Sequence, residues 1–197
     1  MTNHNDFNLI ASSLVELKDT SELMMDLAYS SLLLNSRELA EEVLRLEEYV
    51  DNLHTSFEML ALKSNFSKEE ASGFLGLIRL GVAAEKIADA AADMAEVVLR
   101  GIEPHPVLKL AIKAAEETVA QACVTTNSPL LNSTVKDACI QERTGMTLLA
   151  IKRGEKCIRP KPELVIKEGD VLIVSGYVQG VSGLKQLASP DDNCIGE

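Results

Sequence analysis

The chain has 197 residues, 46% of them hydrophobic but only 4% aromatic, with no tryptophan and a formal net charge of −11. That length suits two small domains of roughly 100 residues each, with cores of Leu, Val, Ile, Ala and Met. The shortage of aromatic faces argues against a sugar- or base-stacking surface, and the acidity argues against nucleic acid as a partner.

The charge is uneven: residues 1–115 carry a net −9 and residues 116–197 a net −2. Periodicity in the first part is helical. A first helix is expected over Phe7 to Leu34, with Leu14, Leu17, Met24, Leu27 and Leu32 as its apolar positions. Asn35-x-x-Glu38 reads as a capping box that opens a second helix. There Leu39, Val43, Leu46, Val50, Leu53, Phe57 and Leu60 alternate steps of four and three, a sustained heptad seam. Ser67-x-x-Glu70 is a second capping box. The third helix carries the seam Leu77, Leu80, Ala84, Ile87, Ala91, Met94 and Val98, and Gly101 stops it. Pro106 can start a shorter fourth helix reaching Glu116. Long helices with short connections make an antiparallel bundle.

After Glu117 the pattern changes. Thr118–Thr126 is rich in β-branched residues, Asn127-Ser128-Pro129 marks a turn, and Ser133–Ile140 suits one or two helical turns. Met146–Ile151 reads as an apolar strand running into Lys152-Arg153, with a tight turn at Gly154-Glu155. Glu168-Gly169-Asp170 leads into a buried strand, Val171–Ser175, which Gly176 is expected to break. Val178–Leu187 closes with a helix, and the residues beyond 190 read as a tail. The fold class is therefore α followed by α/β: an antiparallel helical bundle over 1–115, a small α+β domain over 116–190, and a tail over 191–197. A unit of about 70 residues lies near the lower limit for standing alone, so a homodimer is expected.

Two constellations carry chemistry. In the third helix Glu85, Asp89 and Asp93 recur every fourth residue and form one column, with Glu96 a turn beyond. In the second helix Glu47, Asp51, His54 and Glu58 form a similar set. Clustered carboxylates with an occasional imidazole bind divalent or transition cations, so Glu47, Asp51, Glu85, Asp89 and Asp93 are candidate metal ligands. A plain solvated acidic face is the alternative. In the second half, Arg143 and the pair Lys152-Arg153 bracket an apolar strand, and Arg159-Pro160-Lys161-Pro162 follows. Such cations can grip an anionic ligand, or serve simply as surface charge at strand ends.

Catalysis finds little support, because no Ser-His-Asp or Cys-His grouping stands in a suitable context; His4, His54 and His105 all fall in or beside the bundle. Cys123, Cys139, Cys157 and Cys194 lack zinc-site spacing. No signal peptide or bilayer-length apolar run is found, so a cytoplasmic protein without direct membrane insertion is expected.

The run ERTGMTLLAIKRGEKCIRPKPELVIKEGDVLIVSG, Glu142–Gly176, resembles the C-terminal ligand-binding module of potassium-conductance regulators, the RCK-C or TrkA-C domain. EKIADAAADMAE (Glu85–Glu96) and EEYVDNL (Glu47–Leu53) are similar to the acidic motifs of PhoU-type bundles, with Ala90 where that family usually has His and Asp93 where it has Asn. The double resemblance implies a non-enzymatic regulator of a potassium channel or transporter subunit. It also implies that a pair of TrkA-C modules holds a small anionic ligand such as cyclic di-AMP in a groove between them. By position Arg143, Ile151, Lys152, Arg153 and Pro160 are the groove candidates. The PhoU-like half implies the alternative, a metal-binding accessory regulator of phosphate uptake.

Overall fold

The computed structural model describes residues 4–64, 71–101, 107 and 117–190. The capping box at Ser67–Glu70, all but Val107 of the expected fourth helix, His105, Cys194 and the 191–197 tail lie outside the described residues. The chain divides into two compact units.

The first unit is built from α1 (His4–Leu34), α2 (Arg37–Lys63) and α3 (Ala71–Leu99). Asn35 adopts a left-handed φ of 49° and α2 begins only at Arg37, so Asn35 ends α1 and does not cap α2. This is a correction, because an N-cap needs extended backbone whereas a left-handed residue just past a helix is a C-terminal stop. Gly101, with φ 63°, stops α3 as expected. The α2 seam holds at Leu39, Val43, Val50 and Phe57, all buried.

The α3 seam is different. Its buried face is Phe74, Gly81, Ala84, Ala88, Ala91 and Ala95, whereas Leu80 and Ile87 are 56% and 42% exposed. The reason is close approach to α2. A Cβ on Gly81 would lie 2.6 Å from the ring of Phe57, which is fully buried, so α3 turns its small residues toward α2. The large residues of the expected seam are thereby rotated to its edge. Arg37 Nη1 donates to Leu99 O at 3.3 Å, tying the start of α2 to the end of α3. Tyr49 donates its hydroxyl to Glu16 of α1, and this bond holds the phenol's pKa above its usual value. No helix among the described residues is long and apolar enough to cross a membrane.

The second unit carries a four-stranded antiparallel sheet in the order β1-β4-β2-β3, with β1 Glu117–Cys123, β2 Met146–Arg153, β3 Lys156–Ile158 and β4 Val171–Tyr177. Strand β4 runs through Gly176, which pairs with both Thr118 and Met146, so the expected break is corrected. A Cβ there would fall 2.8 Å from Gly145 O, so the glycine serves close strand approach. Strand β3 pairs through the Gly154 hairpin; at three residues it is too short to show a period in the sequence. The expected helix at Ser133–Ile140 is two short ones, α4 (Val135–Ala138) and α5 (Ile140–Thr144), separated by Cys139 at φ 45°. Helix α6 (Gly180–Ala188) covers one sheet face, burying Leu184 and Ala188 in a core with Leu172, Val174, Met146 and Ile151.

Gly180 sits where α6 crosses the α5–β2 junction, and a Cβ there would lie 2.4 Å from Thr144 O. A backbone oxygen yields less than a flexible side chain. Gly180→Ala is therefore expected to destabilise the second unit by about 1–3 kcal/mol, seen as a lower urea midpoint at unchanged m-value.

Candidate functional sites

In the second unit, α4 and α5, the start of β2 and the loop after β3 enclose a groove of about 610 Å³. Local chemistry builds it. Thr134 caps α4, accepting from Asp137 N at 3.1 Å and donating to the Asp137 carboxylate at 2.7 Å. Two backbone bonds then tie α4 to the loop: Val135 N donates to Leu164 O at 2.9 Å and Lys136 N to Pro162 O at 3.1 Å. The walls so joined present Val135, Ile140, Leu148, Pro160 and Pro162 as apolar surface, with Lys136, Gln141, Thr147, Glu142 and Glu163 as polar groups. A small amphipathic molecule suits that mixture of apolar wall and sparse polar anchors.

The residues expected in a groove between two modules are placed variously relative to this groove within one module. Pro160 lines the groove. Arg143 is exposed and Lys152 half-buried, both outside the lining. Ile151 is fully buried in the core of the second unit. Arg153 is engaged elsewhere: its Nε and Nη2 donate to the two carboxylate oxygens of Asp170, each at 2.8 Å, and Nη2 also reaches Val165 O at 2.8 Å. Asp170 is fully buried and accepts from Lys167 N at 2.8 Å, so this guanidinium is a structural cation. Its bond to Asp170 holds the Arg153 pKa above its usual value. Lining residues not singled out from the sequence include Lys136, Gln141, Thr147, Leu148 and Glu163. The Thr134-x-x-Asp137 cap is the signal that locates the wall carrying Lys136.

In the first unit, Glu47 and Asp51 of α2 meet Asp89 of α3, with one ligand oxygen from each within 4.8 Å of the others. Residues four apart on α2 share a face, and the close α2–α3 approach brings Asp89 opposite them. Glu47 is half-buried and the two aspartates are exposed. Burial first, then the charges of Asp51, Asp89 and Glu48, hold the Glu47 carboxyl above its ordinary pKa. Crowded carboxylates with hard oxygen donors fit a divalent cation, which would relieve that repulsion. Glu85 and Asp93 stand outside this trio, a turn to either side of Asp89. His54 is also apart: its buried Nε2 has no hydrogen-bond partner among the described residues and lies 3.6 Å from Glu58 Oε1.

Residues 14–98 match the PhoU domain model and residues 119–189 the TrkA-C domain model. The chain is 37% identical over 75 residues to the uncharacterized transporter sll0640 of Synechocystis, covering 38% of this chain and 12% of that one. It is 34% identical over 76 residues to potassium channel protein 1 of Methanocaldococcus jannaschii, covering 38% and 23%. It therefore spans under a quarter of either relative. Among solved structures it aligns with the RCK_C domain dimer of S. agalactiae BusR in complex with c-di-AMP, at 25% identity and a TM-score of 0.35, covering 36% of this chain and 96% of that one. PhoU and TrkA-C domains are regulatory, non-catalytic modules. The chain thus contains a PhoU domain followed by a TrkA-C domain.

Proposed function

We propose that the protein is a cytoplasmic regulatory subunit of a potassium channel or transporter, working as a homodimer that senses a small anionic ligand through its TrkA-C modules. On this reading the bundle falls within residues 1–115 and the sensing module within 116–190. The observation that carries this reading is the groove of about 610 Å³ within the TrkA-C match, with Lys136 as its basic group. Ligand binding shifts the partner's equilibrium only through unequal affinity for two arrangements of the protein, so the relevant quantity is differential binding.

Cyclic di-AMP is the first probe, with ATP, NADH and AMP as controls at fixed Mg²⁺. In the homodimer the grooves of the two modules face each other and share one ligand, so calorimetry is expected to give one ligand per two chains. Lys136→Ala is expected to weaken binding by roughly tenfold, as loss of a charge-assisted bond does. Glu163→Gln is expected to tighten it about two- to fivefold, because an exposed like charge opposes the anion only weakly. No heat with any of the four nucleotides, or equal affinity in all three proteins, rejects the groove as the sensor.

The carboxylate trio supports a second reading, a metal-binding accessory regulator of phosphate uptake. Glu47, Asp51 and Asp89 would hold the cation. Metal-free protein that takes up no Mg²⁺ or Mn²⁺ on titration removes this reading and leaves the first intact.

A further inference from the structure

Helix α3 carries a second seam beside the one buried on α2. Gly76, Leu80, Ala83, Ile87, Ala90 and Met94 again step by four and three, and none is charged. Five of the six are exposed and Met94 is half-buried. Between Leu80 and Ile87 on one side and Leu14 and Val15 of α1 on the other lies an open groove of about 390 Å³. Val15 is itself 57% exposed. A continuous apolar heptad stripe open to water marks a helix-packing surface.

We infer that a second copy of this chain covers the stripe, its own α3 lying antiparallel across the first. The order of side chains is what selects a copy over a foreign helix. Small residues (Gly76, Ala83, Ala90) and large ones (Leu80, Ile87, Met94) alternate, and the series reads as its own complement when reversed. With the two-fold level with position 85, Gly76 faces the second copy's Met94, Leu80 its Ala90, and Ala83 its Ile87. Every layer then sets a large side chain into a small one's space, the knob-and-hole fit that an isologous contact requires.

Charge follows the same symmetry. Arg79 and Asp93 flank the stripe on one side, at opposite ends, so the antiparallel register brings each toward the other in the second copy. Lys86 lies between them and meets its own copy near the axis. Those two ammonium groups repel modestly, and their long stems let them diverge.

The Lys86 pair supplies the test, since a cross-link joining Lys86 to Lys86 can form only between two chains. Full-length protein treated with a short amine-reactive cross-linker is expected to give this self-link by mass spectrometry. Ala83→Glu is expected to reduce it at least about tenfold, because the contact would have to bury an unpaired carboxylate. Ala83→Ser, which stays small, is expected to retain it. Arg79→Asp is expected to weaken the link, and Arg79→Asp combined with Asp93→Arg to restore it. Circular dichroism checks that each variant keeps its helices. A chain that is monomeric, that associates without the Lys86 self-link, or whose link survives Ala83→Glu overturns the inference. Association through the C-terminal modules alone would leave the link insensitive to Ala83→Glu, which separates that case.

Discussion

Arg153→Met is expected to cost the second unit about 3–5 kcal/mol, because it strands the Asp170 carboxylate without its counter-ion at a fully buried position. Against a total stability of roughly 5–15 kcal/mol, that loss removes a large share of the margin. Asp170→Leu is expected to destabilise by a similar amount, leaving the half-buried Arg153 fork unmatched and Lys167 N without its acceptor. The double replacement should fall well short of the sum, since it removes both charges together. Urea denaturation of all four proteins completes the cycle. Additive losses would mean that the fork contributes no coupling. The same cycle bears on function: if Arg153→Met lowers ligand affinity only in proportion to the unfolded fraction, this cation acts through the fold.

A divalent cation is expected to stabilise the first unit, and to do so more strongly at pH 7 than near pH 5. Burial and then its acidic neighbours hold the Glu47 carboxyl above its ordinary value. A raised carboxyl favours the folded state when protonated, and that contribution is lost as pH rises through the folded pKa. Above that point the Glu47 carboxyl is ionised, and a cation relieves its repulsion without first displacing a proton. Thermal shift with Mg²⁺ or Mn²⁺ across that range reads the effect. Asp89→Asn is expected to lower affinity by roughly 10–100-fold, while Asp93→Asn, outside the trio, leaves it nearly unchanged. Equal shifts in wild type and Asp89→Asn, or equal shifts at both pH values, would place the cation elsewhere.

Much of the architecture was legible in the sequence, and the reason is periodicity. The 4-3 seam of α2 survives in the fold because Leu39, Val43, Val50 and Phe57 need only a neighbour, whatever its identity. The apolar runs of β2 and β4, the Gly154 hairpin and the Gly101 stop are likewise local, set by chain geometry over a few residues. The acidic trio was half legible: Glu47 and Asp51 share a face by spacing alone. Which carboxylate of α3 joins them depends on how the two helices are rotated about their axes.

That rotation is what only the tertiary structure decided. Phe57 needs the space that Gly81 leaves open, so α3 is turned to present its small residues to α2, and Leu80 and Ile87 move from expected core to surface. The pairing of Arg153 likewise depends on the tertiary structure. A basic residue at a strand end looks available in one dimension, but Asp170 arrives from 17 residues away in the chain to take both of its forks. The sequence by itself determined the three long helices, the strands β2 and β4 and the family resemblances, because those follow from local spacing and ordered motifs. Facing surfaces, paired charges and open grooves depend on segments far apart in the chain, and only the packed fold brings them together.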